Sequence, residues 1–216
     1  NTRFKSSTNR APTKTIPGRP GEERGLLLEL RLLADVGLLG LPNAGKSTLL
    51  RTVSRAHPKV ADYPFTTMYP QLGVIRIDEG SSFVMADIPG LIEGASQGAG
   101  LGTQFLRHLS RTSLLLHIID IMPPEGPQSI VPNARVVINE LHQFDKALLD
   151  RPRWLVLNKT DLVPDDELQK IRQQIVDALD WQSELFMISA ATGQGCPELM
   201  QAIMKWLLRQ REELDN

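Results

Sequence analysis

Apolar residues fall along this chain in short compact runs separated by longer stretches of helical spacing. Val36-Gly-Leu-Leu39, Phe83-Val-Met-Ala-Asp87, Leu114-Leu-Leu-His-Ile-Ile-Asp120, Trp154-Leu-Val-Leu-Asn158 and Leu185-Phe-Met-Ile-Ser189 are such runs. Their continuity predicts strands, and Leu114–Asp120 has the character of one buried on both faces. Leu72-Gly-Val-Ile-Arg-Ile77 alternates instead, which predicts an edge strand. Between the runs, helices are predicted from Ser47 to about Ala56, from Thr103 to about Ser110, from Asn133 to Leu149, from Asp165 to Leu179 and from Pro197 to about Arg211. In the third of these, Val137, Leu141, Phe144 and Leu148 form one apolar face, and Pro123 to Pro132 before it reads as a loop. Six strands alternating with helices predict an α/β, doubly wound, mostly parallel sheet of about six strands with helices on both faces. Four strands end in polar residues, so the site is expected along the carboxyl edge of that sheet.

Composition narrows the picture. A chain of 216 residues suits one well-buried domain with a linker to spare. The linker is read at residues 1–33, the domain at 34–213 and a short tail at 214–216. Pro12, Pro17, Gly18, Pro20 and Gly21 forbid the amphipathic helix that an organelle transit peptide needs. The chain begins without Met, which suggests a piece of a longer protein. Six of the 24 Lys/Arg and two of the 25 Asp/Glu lie before residue 25, so the remainder is acidic, eighteen against twenty-three. Such a body is a poor nucleic-acid binder. Cys196 is the single cysteine, which excludes an intrachain disulfide and fits a reducing, cytoplasmic setting. No apolar run approaches the roughly 20 residues of a membrane span, and a monomer is expected.

The chemistry begins where the first strand ends. Gly40-Leu41-Pro42-Asn43-Ala44-Gly45-Lys46-Ser47 is a phosphate-binding loop between a strand and a helix, which makes the fold a P-loop NTPase. Its glycines let backbone N–H groups turn inward, Lys46 reaches the outer phosphates, and the Ser47 hydroxyl ligates Mg²⁺ at the helix N-terminus. An ordinary glycine turn would not need the strand before it and the helix after it. Asp87-Ile88-Pro89-Gly90 follows the next core strand. Asp87 is placed to hold magnesium through water, and the Gly90 N–H to meet a terminal phosphate. Asn158-Lys159-Thr160-Asp161 sits where a base would lie. A carboxylate at Asp161 accepts from both donors on guanine, and ATP would leave it unpaired. Asn158 would tie the base edge to neighbouring loops, the Lys159 stem would lie against the base plane, and the N–H of Ala190 in Ser189-Ala190-Ala191 would donate to the guanine carbonyl. His117 reads as a satisfied core histidine, and Cys196 as helix-start punctuation.

These four signatures, in this order, resemble the translation-factor-related branch of GTPases. Asp62-Tyr-Pro-Phe-Thr-Thr67, Ala86-Asp-Ile-Pro-Gly-Leu-Ile-Glu-Gly-Ala95, Gly98-Ala-Gly-Leu-Gly102 with Phe105-Leu-Arg-His-Leu109, and Pro152-Arg-Trp-Leu-Val-Leu-Asn-Lys-Thr-Asp161 resemble the Obg family more closely still. The opening Asn1-Thr-Arg-Phe-Lys-Ser-Ser7 is similar to the end of that family's glycine-rich N-terminal domain. The resemblance implies a GTPase that associates with the large ribosomal subunit, takes part in its assembly and is tied to growth and stress control. It also implies a first switch around Phe65, Thr66, Thr67, Met68 and Tyr69, with Thr67 as the second hydroxyl ligand of Mg²⁺ beside Ser47.

Catalysis is less conventional. The position after Gly90, where Ras-like enzymes carry a water-orienting glutamine, holds Leu91, which can neither donate nor accept. Glu93 and Gln97 are nearby polar candidates. Asn43 resembles the asparagine that helps hold a monovalent cation in potassium-activated GTPases, so K⁺ is a candidate activator with Lys46, Thr67 and Gly90 as its catalytic company. The expected activity is slow, Mg²⁺-dependent hydrolysis of GTP to GDP and phosphate. The alternative is a guanine-nucleotide sensor or scaffold whose bound state recruits a partner, with hydrolysis incidental; Leu91 and the glycine-rich segment suit it.

Overall fold

The computed structural model describes residues 7–8, 10, 21, 34–54, 59–60, 71–87, 112–144 and 151–214. The chain divides into a unit of residues 1–30 and a unit of residues 31–216, and every element described below belongs to the second. Its strands are β1 (Val36–Leu39), β2 (Lys59–Val60), β3 (Gln71–Arg76), β4 (Ser82–Asp87), β5 (Leu114–Asp120), β6 (Arg153–Asn158) and β7 (Leu185–Ile188). Among the described residues the α-helices are α1 (Lys46–Val53), α2 (Ile130–Phe144), α3 (Asp165–Leu179) and α4 (Cys196–Leu214). The strands form one seven-stranded sheet in the order β2-β3-β4-β1-β5-β6-β7. The expected six strands are all present, and the seventh is the two-residue β2. β4, β1, β5, β6 and β7 run parallel, while β3 is antiparallel to both β4 and β2.

Parallel strands buried on both faces explain the continuous apolar runs. Leu114, Leu116 and Ile118 of β5 join a core built with Leu49 and Leu50 of α1 and Leu199, Ile203 and Leu207 of α4. On the other face Leu115 meets Val137 and Leu141 of α2, and Ile119 meets Ile171 and Ile175 of α3. Each fully buried Leu or Ile contributes about 1.5 to 3 kcal/mol relative to exposure, so both helical layers are held by the same strands. Trp154 extends the first core, with its ring centroid 5.4 Å from Phe186 and 6.3 Å from Trp206.

Three expectations are corrected. The alternating strand is not at the edge, because β3 pairs with β2 on one side and β4 on the other. Its alternation reports one-sided packing: Gly73 and Ile75 are buried while Val74 and Arg76 are exposed. A Cβ at Gly73 would come within 2.7 Å of the Leu50 side chain, so α1 packs directly on this strand. The helix expected from Asn133 begins at Ile130. Pro132 falls in its first turn, where a missing N–H costs no intrahelical bond. His117 is a core residue, 1% exposed, but its Nδ1 has no hydrogen-bond partner, so it is not satisfied. Burial, reinforced by the Arg153 charge, pushes its pKa down to about 3. The predicted helix from Thr103 to Ser110 and the segment 145–149 lie outside the described residues. No helix among the described residues is long and apolar enough to cross a membrane.

Candidate functional site

Strand register brings the sequence motifs to one edge. Leu38 pairs with Asp87, Leu39 with His117, Asp120 with Asn158, and Asn158 with Ile188. β1 and β4 therefore end close together, β5 and β6 run on about three residues further to end level with each other, and all finish on one carboxyl side; the loop after β1 lies at the reversal of strand order, where open α/β sheets bind ligands.

That loop is shaped by residues in conformations only some side chains tolerate. Gly40 has φ +148°, and a Cβ there would come within 2.5 Å of the Ile118 carbonyl oxygen. Gly45 has φ +99°, and a Cβ would come within 2.1 Å of Asn158 Nδ2. Asn43 is left-handed at φ 63°; it and Pro42 are exposed, whereas Ala44 is buried and donates its N–H to the Leu41 carbonyl at 3.2 Å. Lys46 folds back over the loop, donating to the Gly40 and Leu41 carbonyls at 2.9 Å each. Burial pushes the Lys46 ammonium below its ordinary pKa, and the Asp87 charge opposes that shift. As α1 begins here, the amides of Lys46, Ser47 and Thr48 lack intrahelical acceptors and face the cradle with the positive end of the helix dipole.

The Ser47 hydroxyl donates to Asp87 Oδ2. Asp87 is buried, and its Oδ1 has no partner. An unpartnered carboxylate oxygen beside a hydroxyl, both next to a phosphate cradle, is a hard-oxygen donor set that fits Mg²⁺. One carboxylate and one hydroxyl suit an ion of this kind, whose shell is usually completed by phosphate oxygens and water.

On the far side of the loop Asn158 is buried, donates from Nδ2 to the Ala44 carbonyl at 2.8 Å and accepts the Ala190 N–H at Oδ1 at 2.9 Å. One side chain thus ties the phosphate loop to the loop after β7. The Ala190 N–H is engaged by Asn158 and is not the free donor that the sequence suggested. Ala191, next along, is exposed and its N–H carries no bond among the described residues. Ser189 is buried, its hydroxyl accepting the Thr192 N–H at 3.1 Å. Lys159 is left-handed at φ 72°, and its ammonium reaches Asp120 Oδ2 at 2.5 Å. Thr160 is buried, while Asp161 projects exposed from the turn Thr160–Leu162.

Phe65, Thr66, Thr67, Met68, Tyr69, Ile88, Pro89, Gly90, Leu91, Glu93 and Gln97 lie outside the described residues. Two residues that sequence reasoning passed over also belong to the edge. Thr52 donates its hydroxyl to the Ala190 carbonyl at 2.7 Å, so α1 braces the loop after β7. Asp120 was visible as a carboxylate closing a buried strand, but Thr52 carried no signal.

The model of the 50S ribosome-binding GTPase family, MMR_HSR1, matches residues 35–159, from the start of β1 through Lys159. The chain belongs to that family. As a member of the 50S ribosome-binding GTPases it is a GTP-binding enzyme that hydrolyses GTP. Solved structures agree in fold. An Era variant from Aquifex aeolicus bound to GDP·AlF4⁻ superposes with a TM-score of 0.56 at 24% identity, covering 80% of this chain and 56% of that one. The G domain of the T. maritima iron transporter FeoB gives 0.55 at 22% identity, covering 80% and 97%. A Plasmodium falciparum protein described as nucleolar GTP-binding protein 1 gives 0.57 at 22% identity, covering 83% and 90%. The chain spans little more than half the length of the Era chain, and what it shares with these proteins is the fold.

Proposed function

We propose that this chain is the G domain of an Obg-type GTPase, a Mg²⁺-dependent switch that hydrolyses GTP slowly and acts in large ribosomal subunit assembly and in growth and stress control. The motifs between Asp62 and Asp161 support the Obg assignment, and membership of the 50S ribosome-binding GTPases supports a ribosomal partner. The observation that carries the nucleotide chemistry is the pair of half-buried Ser47 and buried Asp87, with one carboxylate oxygen unpartnered beside Lys46.

In this reading Lys46 leaves the Gly40 and Leu41 carbonyls and moves its ammonium onto the β- and γ-phosphates. The amides at the start of α1 take the remaining phosphate oxygens. Mg²⁺ held by Ser47, with Asp87 acting through water and Thr67 closing the set, would neutralise charge on the β- and γ-oxygens. Asp161 reads the guanine donors, the Lys159 stem covers the base face, and the Ala191 N–H is the donor left for the guanine carbonyl. Leu91 supplies no water-orienting group, which fits slow intrinsic turnover that a partner accelerates.

Titration with a fluorescent GTP analogue, alone and with purified large subunits, tests the proposal. Lys46→Ala and Ser47→Ala should each weaken binding at least 100-fold, about 2.7 kcal/mol. The full-length protein should co-sediment with large subunits in a non-hydrolysable GTP analogue and release in GDP. Wild-type affinity in both variants would remove the phosphate site, and equal co-sedimentation in both nucleotides would remove the switch.

A further inference from the structure

We infer that Asp120 is a positioning residue of the nucleotide site, holding Lys159 in place as one wall of the base subsite before nucleotide arrives. This rests on the reading of Asn158 to Asp161 as the base-binding segment. The register is the starting point: Asp120 is the last residue of β5 and pairs directly with Asn158, the last residue of β6. The two strands stay joined one step further, where the Ile121 N–H donates to the Asn158 carbonyl at 3.3 Å. Lys159 therefore leaves the sheet beside the Asp120 carboxylate. Its left-handed backbone, φ 72°, turns the side chain back across the end of β5 instead of along the strand.

The carboxylate is itself fixed. Asp120 Oδ1 accepts the Met122 N–H at 2.9 Å, an Asx turn that sets the plane of the group, and Oδ2 accepts the Lys159 ammonium at 2.5 Å. The side chains are 13% and 31% exposed, so the pair is sheltered from the solvent that makes open ion pairs weak. Asp120 also borders a small cavity of about 20 Å³ walled by Leu41 and Ala44 of the phosphate loop.

The physical consequence is preorganisation. A free lysine stem has many rotamers, and a base that had to order it would lose part of the contact energy to that ordering. With the ammonium anchored at Asp120, the methylene stem is presented in one place as a flat apolar surface. Ordering one such side chain in advance is worth about three- to tenfold in affinity. The effect belongs to the base and not to the phosphates, so GTP and GDP should feel it equally.

A double-mutant cycle read by stopped-flow binding of fluorescent GTP and GDP to the whole chain decides the matter. Asp120→Ala should weaken both nucleotides about three- to tenfold, chiefly through faster dissociation. Asp120→Glu should recover part of the loss. In a Lys159→Ala background, Asp120→Ala should change little, because nothing remains to be positioned. Equal losses in both backgrounds would show that Asp120 merely supports the fold, and unchanged or tighter binding in Asp120→Ala would overturn the inference outright. Asp120→Asn keeps the acceptor for Met122 and serves if Asp120→Ala fails to fold. Failure of the underlying reading looks different: the wild-type chain would then bind neither nucleotide, or Lys159→Ala alone would leave affinity unchanged.

Discussion

Single residues at the sheet edge divide into those that face the solvent and those that hold others in place. Asp161 is exposed and makes no bond among the described residues, as a group reserved for a ligand would. Asn158 has both ends of its amide engaged by the protein, to Ala44 and Ala190. The two therefore call for different experiments. Asp161→Asn is expected to lower GTP affinity about 10- to 100-fold and to raise affinity for xanthosine triphosphate, since an amide donates to the carbonyl that xanthine carries in place of the guanine amine. The loss follows from about 1 to 3 kcal/mol for each buried polar group left unmatched. Competition between the two nucleotides measures it, and an unchanged preference would remove Asp161 from base reading.

At the scale of elements, the loop between β1 and α1 and the turn after β6 form one unit joined by Asn158. Gly45 is the tightest point of that junction. Its φ of +99° strains any other residue, and a Cβ would lie 2.1 Å from an Asn158 amide already committed to two partners. Gly45→Ala should therefore displace Asn158 as well as bend the cradle. We expect at least a 100-fold loss of GTP affinity together with about 1 to 3 kcal/mol of stability, measured by nucleotide titration and by urea unfolding of the nucleotide-free chain. Loss of binding with full stability would mean that the cradle alone is disturbed and that Asn158 adjusts freely.

The whole molecule carries one titration built into its centre. His117 sits in the middle strand, 1% exposed, with a folded pKa of about 3 against an ordinary 6.5. Between those values the unfolded chain binds a proton that the folded chain refuses, so stability rises with pH across the window and falls as the solution is acidified. Its contribution is complete above pH 6.5 and is lost at about 1.4 kcal/mol per pH unit below it. Unfolding free energy should drop by about 2 kcal/mol between pH 6.5 and 5, above the range where most carboxylates titrate. His117→Leu should flatten that drop, as followed by urea unfolding at each pH, and an identical drop in the variant would place the acid sensitivity elsewhere.

The sequence by itself determined the α/β class, the continuous strands and the identity of the edge motifs. Burial on both faces of a parallel strand removes alternation, and a strand followed by a glycine loop and a helix has few other uses. Helix α3 was legible to its ends, Asp165 and Leu179, because acidic residues crowd its first turn and its apolar positions keep one spacing. What the tertiary structure decided were relations between strands far apart in the chain. Alternation in β3 records one packed face and cannot say which strand lies beside it. The partners of the Ala190 N–H, the Asp120 carboxylate and the Thr52 hydroxyl depend on register across β5, β6 and β7 and on where α1 comes to rest. A local pattern fixes which face of an element is apolar, whereas lateral order and hydrogen-bond partners are set only when the sheet closes up.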